Sequence, residues 1–253
     1  MSIDLNADLG EVLDGVRTDD AGLVEVVTSA NVACGFHSGD AATMLSACDL
    51  CVDQGVVIGA QVSYRDREGF GRRFLDVEPA VLTADVLEQI ETLDEIAHEA
   101  GGRVSYVKPH GALYNAIVHH EVQAAAVVAA VLAYDGRLPV LGLSGSRWLA
   151  LAERAGLRTV REAFADRGYA ADGTLVPRGE PGAVLADLRT VVQRCVRLAT
   201  AGEVVAVDGT ALRVDPESIC VHGDTPGAVS LAHAVRSALT AAGVQPAPFV
   251  RLR

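Results

Sequence analysis

Polar and apolar residues alternate strictly from Ile3 to Leu9, in the order Ile-Asp-Leu-Asn-Ala-Asp-Leu. A period of two predicts a strand with Asp4, Asn6 and Asp8 on one face. On an edge strand that face meets water, whereas in a closed barrel it points at the axis near the active end. Residues 13–21 contain Asp14-Gly15 and Asp19-Asp20 and read as a surface loop. A strand-like run follows over residues 26–34. Asp40 then stands at the N-cap of a helix whose apolar positions are Met44, Leu45, Cys48 and Val52 and which stops at Gly55. Residues 56–62 are apolar except for Gly59 and Gln61, the pattern of a buried parallel strand.

The alternation of strand and helix patterns continues to the C-terminus. Val86, Leu87, Ile90, Leu93, Ile96 and Ala97 keep helical spacing until Gly101-Gly102. Next come a β run at 103–106, a helix at 121–133, a strand at 138–143, a helix at 147–154 and a strand at 158–164. A helix is predicted over 180–201, with Pro181 tolerated in its first turn. The runs 204–207 and 210–214 are joined by Asp208-Gly209 and predict a small β-hairpin within residues 203–214. A strand at 218–221 precedes a final helix, opened by Thr225-Pro226 and ending at Gly243. Strands near residues 3, 28, 56, 104, 138, 158 and 219, each with a helical return, predict an α/β fold. Its sheet is parallel with right-handed crossovers, either doubly wound or closed into a barrel. In both architectures ligands bind at the carboxyl ends of the strands.

Composition narrows this picture. With 253 residues, half of them hydrophobic, the chain supports one core and reads as a single domain over 1–253. A formal charge of -12 disfavours nucleic acid and anionic membranes as partners, because both demand a basic surface. No basic and apolar leader opens the sequence and no apolar run is long enough to cross a bilayer, so a cytoplasmic protein is expected. Five cysteines, an odd count in a chain of this size, disfavour a disulfide framework, and Cys48-x-x-Cys51 falls in a helical pattern with no second pair, which suits core packing.

The candidate chemistry lies where strand patterns end. Three apolar runs each deliver a histidine to a glycine-containing turn: His37, His110 and His222. If the three strands are parallel, these imidazoles gather at one end of the sheet. Asn6, Asp8, Asn31, Asp40, Arg72, Lys108, Asn115, Glu162, Arg178 and Asp224 occupy comparable positions, Asp40 being equally well explained as a helix cap. Imidazoles beside carboxylates supply general acid and base near neutral pH, and Lys108 or Arg178 suits an oxyanion or a substrate carboxylate. Asp8, His37, His110 and Asp224 form an acceptable nitrogen and oxygen set for a divalent metal, although no His-x-x-x-His pair is present. Neither a Gly-x-Ser-x-Gly elbow nor a Gly-x-x-x-x-Gly-Lys-[Ser/Thr] loop occurs, which disfavours serine acyl transfer and a Walker-type nucleotide site.

Taken together, several stretches resemble the LamB/YcsF family. They are residues 4–11 (DLNADLGE), 28–40 (TSANVACGFHSGD), 69–73 (GFGRR), 108–115 (KPHGALYN), 162–167 (EAFADR) and 220–226 (CVHGDTP). The resemblance implies an irregular seven-stranded (β/α) barrel of the glycoside hydrolase/deacetylase type. It also implies ATP-dependent hydrolysis of the 5-oxoproline (pyroglutamate) lactam to L-glutamate, performed together with subunits B and C of the same 5-oxoprolinase. On that reading Asp8, His37, Lys108 and His110 are catalytic, His37 or His110 acting with Asp8 as base and Lys108 steadying negative charge. Arg72 or Arg178 holds the substrate carboxylate, and Asn6, Asn31, Asn115, Glu162, His222 and Asp224 complete substrate binding. ATP is the expected cofactor, used with the partner subunits, and a divalent metal and a homo-oligomer are both compatible. In residues 59–66 (GAQVSYRD) the family usually carries Gly-Ala-His-Pro, so Gln61 replaces an imidazole with a group that cannot titrate. The segment after Glu11 is also shorter than the family's. These departures keep two alternatives open: an ATP-independent, metal-dependent amidase or deacetylase on the same barrel, and a substrate-binding subunit with weak catalysis.

Overall fold

The computed structural model describes residues 1–13, 15–223 and 227–250. Among them, seven parallel strands close into a barrel: β1 (Ser2–Leu9), β2 (Ser29–Ala33), β3 (Val57–Val62), β4 (Val104–Pro109), β5 (Val140–Leu143), β6 (Thr159–Phe164) and β7 (Ser218–Val221). Each pairs with its neighbour in sequence, and β7 closes on β1 with Asn6 opposite Cys220. Residues Gln245–Pro246 add a short parallel extension beside Ser2 and Ile3. All seven strands anticipated from the pattern are present.

Closure explains the polar face of β1. Leu5, Ala7 and Leu9 are fully buried in the main core, while Asp4, Asn6 and Asp8 are buried among polar groups inside the barrel. The edge-strand alternative is therefore excluded. Asp4 accepts from Thr28 and Ser29 at 2.6 Å each and also from Ser218. A separate apolar plug of Val57, Tyr106, Leu141 and Val160 fills the barrel, with Phe249 and Val250 packed on it. Gly59 makes room for the Tyr106 ring, which occupies the space a Cβ there would need.

Helices Ala41–Gln54, Pro79–Glu99, Glu121–Asp135, Arg147–Arg154, Leu188–Ala201 and Ala228–Ala241 supply the outer layer. Asp40 caps the first of these, accepting from the Thr43 amide, and Gly55 ends it in the left-handed conformation. Five free cysteines, Cys48 and Cys51 included, are buried. No described helix is long and apolar enough to cross a membrane.

Three local expectations are corrected. The loop expected over 13–21 contains the strand Val16–Arg17, paired with Val12–Leu13, and the start of the helix Asp20–Val24, capped by Asp19. The helix expected from 180 begins only at Leu188. Asp187 caps it, whereas Glu180 to Ala183 form a turn and the Leu185 amide donates to the Asp166 carbonyl. The hairpin is real, but Glu203–Val205 and Ala211–Arg213 are shorter than predicted, because the turn hydrogen bonds Ala206 to Thr210 and Gly209 to Ala206. Thr225 and Pro226 lie outside the described residues.

Candidate functional site

The carboxyl ends of β1, β4, β6 and β7 face a cavity of about 550 Å³ lined by Asp8, Glu11, Lys108, His110, Phe164 and His222. A parallel barrel puts all these ends at one mouth, so residues far apart in sequence meet there.

Beneath the cavity is a buried polar network. The Lys108 ammonium lies 2.8 Å from Glu162 Oε1, 3.1 Å from Asn6 Oδ1 and 3.3 Å from Asp8 Oδ1, with Cys220 Sγ at 3.2 Å. Asn6 Nδ2 donates to Glu162 and Ser218, while Asn31 Nδ2 donates to Asn6 and Asp8 and Asn31 Oδ1 accepts from Tyr106. Burial disfavours charge on Lys108, but Asp8, Cys220 and Glu162 outweigh it and hold the ammonium well above its ordinary pKa. Burial likewise opposes the Asp8 carboxylate, yet Lys108 first and His222 second hold its pKa well below the usual range. Asn6, Asn31 and Glu162, expected to touch substrate, are fully buried and support Asp8 and Lys108 instead.

On one side of Asp8, His37 and His110 stack with ring centroids 3.9 Å apart. His110 Nε2 is 3.1 Å from the Phe70 carbonyl and therefore carries its proton, which leaves Nδ1 to accept from Gln61 Nε2 at 2.9 Å. His37 Nδ1 faces Ser63 Oγ at 3.0 Å, and that hydroxyl donates to the Tyr64 carbonyl, so His37 also presents a bare nitrogen, Nε2. Glu11 Oε1 lies 3.4 Å from His37 Nε2 and 3.5 Å from His110 Nδ1. Burial first, and His37 second, push the His110 pKa well down. His37 Nε2 and His110 Nδ1 thus converge on one carboxylate, with ligand atoms all within 4.8 Å of one another. Such a convergence of acceptors suits a divalent cation. Glu11 takes the place expected for Asp8 in this set.

On the other side, His222 Nδ1 is 2.6 Å from Asp166 Oδ1, and its ring stacks on Phe164. Burial disfavours charge on His222, but Asp166 overcomes it and raises the imidazole pKa. The three histidines therefore divide into a stacked pair and a separate third held by an acid.

Arg72, Arg178 and Asn115 lie at the exposed rim, Arg72 over the Phe70 ring at 4.8 Å and Asn115 bonded to the Gly111 carbonyl. Arg73 instead pairs with Asp66. Asp224 lies outside the described residues. Glu11 and Asp166 were not singled out as candidates, though both stand in the family-like stretches, three residues after Asp8 and four after Glu162.

The LamB/YcsF family model matches residues 3–253. The chain belongs to the LamB/YcsF family. A relative from Streptomyces avermitilis, named as the A subunit of 5-oxoprolinase, is 61% identical over 248 residues, covering 98% of this chain and 99% of the relative. The crystal structure of a lactam utilization protein from Thermus thermophilus superposes with a TM-score of 0.92 at 40% identity, covering 98% of this chain and all of that one. A family 4 carbohydrate esterase from Streptomyces lividans matches with a TM-score of 0.51 at 12% identity, covering 98% of this chain and 93% of its own, which shows a shared fold alone. The seven-stranded barrel of deacetylase type is thus the fold of this family member.

Proposed function

We propose that this chain is the lactam-hydrolysing subunit of a 5-oxoprolinase, converting 5-oxoproline to L-glutamate. The observation that carries the reading is an ionised Asp8 lining the same cavity as His110, whose pKa burial pushes down, and His222, whose pKa Asp166 raises. Opening a lactam requires a proton taken from water and a proton given to the ring nitrogen, so groups of opposite protonation must flank the bond.

Asp8 accepts the proton of the water that attacks the ring carbonyl carbon. As the carbon–nitrogen bond breaks, His222 donates its proton to the nitrogen, which becomes the amine of glutamate. Lys108 keeps Asp8 ionised, and its contacts with Asn6, Asp8 and Glu162 make it a positioning residue. Arg72 and Arg178 at the rim fit the substrate carboxylate. Glu11, His37 and His110 would hold a divalent ion, and the chemistry it would supply is Lewis acidity toward water and the lactam carbonyl.

ATP phosphorylation of the lactam oxygen, which activates the ring carbon, is assigned to the assembly with subunits B and C; ring opening then leaves the new carboxyl as an acyl phosphate, and a second water releases inorganic phosphate to give glutamate. The name of the 61% identical relative is that of one component of a larger enzyme, which supports this division. The test is glutamate release from 5-oxoproline and ATP, by this chain alone and mixed with its B and C partners. Release only in the mixture is expected; an assembled mixture that releases none overturns the assignment. The Glu11, His37 and His110 cluster favours one second reading, an ATP-independent amidase, for which chelator-sensitive hydrolysis by the lone chain without ATP is the deciding result.

A further inference from the structure

Gln61 occupies an unusual place beside the imidazole pair. It is fully buried at the carboxyl end of β3, its Nε2 is 2.9 Å from His110 Nδ1, and its Oε1 is buried with no hydrogen-bond partner. A buried amide oxygen left unmatched costs about 1–3 kcal/mol, so a group kept in this state calls for a partner. The N–H that Gln61 gives to His110 also fills the lone pair which that imidazole would offer a cation. His110 cannot serve both at once.

The two heteroatoms of the amide share one carbon. Half a turn about the last side-chain torsion exchanges them, putting Oε1 where Nε2 now stands. That position faces His110 Nδ1, which lies 3.5 Å from Glu11 Oε1. With no cation present the turned amide is unfavourable, because an oxygen would then face a bare nitrogen. With a cation present it is favoured where the cation–oxygen contact outweighs leaving Nε2 in the partnerless place that Oε1 now holds.

We propose that Gln61 is the fourth protein ligand of the divalent site and, through rotation of its amide, the lock that satisfies His110 when the cation is absent. The proposal rests on the reading that Glu11, His37 and His110 hold a divalent ion. The resulting set has two nitrogens and two oxygens, one of them a neutral amide oxygen, and so leans toward harder ions such as Mn²⁺ more than a purely nitrogen or sulfur set does. Nothing outside the cavity is required to move, since the exchange happens within one side chain.

The test is binding of Mn²⁺ and Zn²⁺ by calorimetry to the full chain, comparing wild type with Gln61→Met, which keeps the length and removes both polar atoms, and with Gln61→Glu. Circular dichroism melts confirm that the variants fold. Wild type is expected to bind one ion, Gln61→Met to weaken Mn²⁺ by about tenfold or more and Zn²⁺ less, and Gln61→Glu to tighten Mn²⁺. Equal Mn²⁺ affinity in wild type and Gln61→Met overturns the ligand role while leaving the cation site standing. No binding by wild type overturns both. A second readout on wild type needs no variant: Nδ1 of His110 should show the ¹⁵N shift of a hydrogen-bond acceptor without metal and lose its coupling to the Gln61 amide when metal is added. A coupling that persists in the metal-bound protein overturns the rotation.

Discussion

His37 and His110 lie face to face, their ring centroids 3.9 Å apart and their planes 12° from parallel. Imidazoles this close cannot both carry charge without repulsion, and this is one cause of the low His110 pKa. Gly71 makes the stack possible. Its φ is +65°, and a Cβ there would stand 2.8 Å from His37 Cβ and 3.0 Å from His110 Cδ2. Gly71→Ala should therefore part the rings and cost about 1–2 kcal/mol from backbone strain alone. Expected readings are a lowered melting temperature and weakened divalent-ion binding; unchanged metal affinity would show that the stack is incidental to the site.

Lys108 is a second point of leverage. Its ammonium is buried against Asp8 and Glu162. Lys108→Met strands two carboxylates and should destabilise the protein by about 3–5 kcal/mol. Adding Glu162→Gln should restore part of that loss, because one stranded charge is removed. Urea titration of the single and double variants checks both, and a Lys108→Met protein as stable as wild type contradicts the network.

Asp166 sets the protonation of His222. Its carboxylate raises the imidazole pKa against burial, so the protonated form is stabilised in the folded state and that contribution fades as pH rises through the raised value. Asp166→Asn should move the basic limb of glutamate release by the assembled enzyme to lower pH, and move the His222 titration measured by NMR in the same direction. A limb that stays in place would remove His222 from the role of acid.

Asp4 should govern part of the pH dependence of stability. Burial, only partly offset by the Ser218, Ser29 and Thr28 hydroxyls, pushes its carboxyl up to about 6 from an ordinary 3.8. A raised acid binds more protons folded than unfolded, so its stabilisation is complete below the unfolded pKa and is lost as pH rises through the folded one. The loss approaches about 3 kcal/mol at neutral pH. Denaturation at pH 5 and pH 7.5 should show this decline in wild type and a flatter profile in Asp4→Asn, which keeps a donor and an acceptor at the position. Parallel profiles in the two proteins would contradict the shift.

Much of the architecture was legible along the chain. The alternation in residues 3–9 defined a strand with one polar face because side chains on a strand repeat every two residues, whatever surrounds them. Asp40 and Gly55 marked helix ends through local backbone bonding, and Asp208-Gly209 marked a hairpin. The helix expected from residue 180 failed because long-range contacts decide that segment, the Leu185 amide serving Asp166 rather than a helical turn.

The site was legible as a set of places and only partly as a set of roles. Strand ends located Asp8, His37, Lys108, His110 and His222, since parallel strands deliver their carboxyl ends to one mouth. What each does depends on neighbours distant in sequence: Glu11 acquires its meaning from His37, 26 residues on, and Asp166 from His222, 56 residues on. Lys108 becomes a support for Asp8 because the barrel closes 100 residues of chain between them. Sequence determined the periodicity, the breaks and the inventory of reactive groups, all of which rest on local backbone geometry and side-chain chemistry. The tertiary structure alone decided which groups are buried together, and with that which proton each one holds, because desolvation and charge act through space and not along the chain.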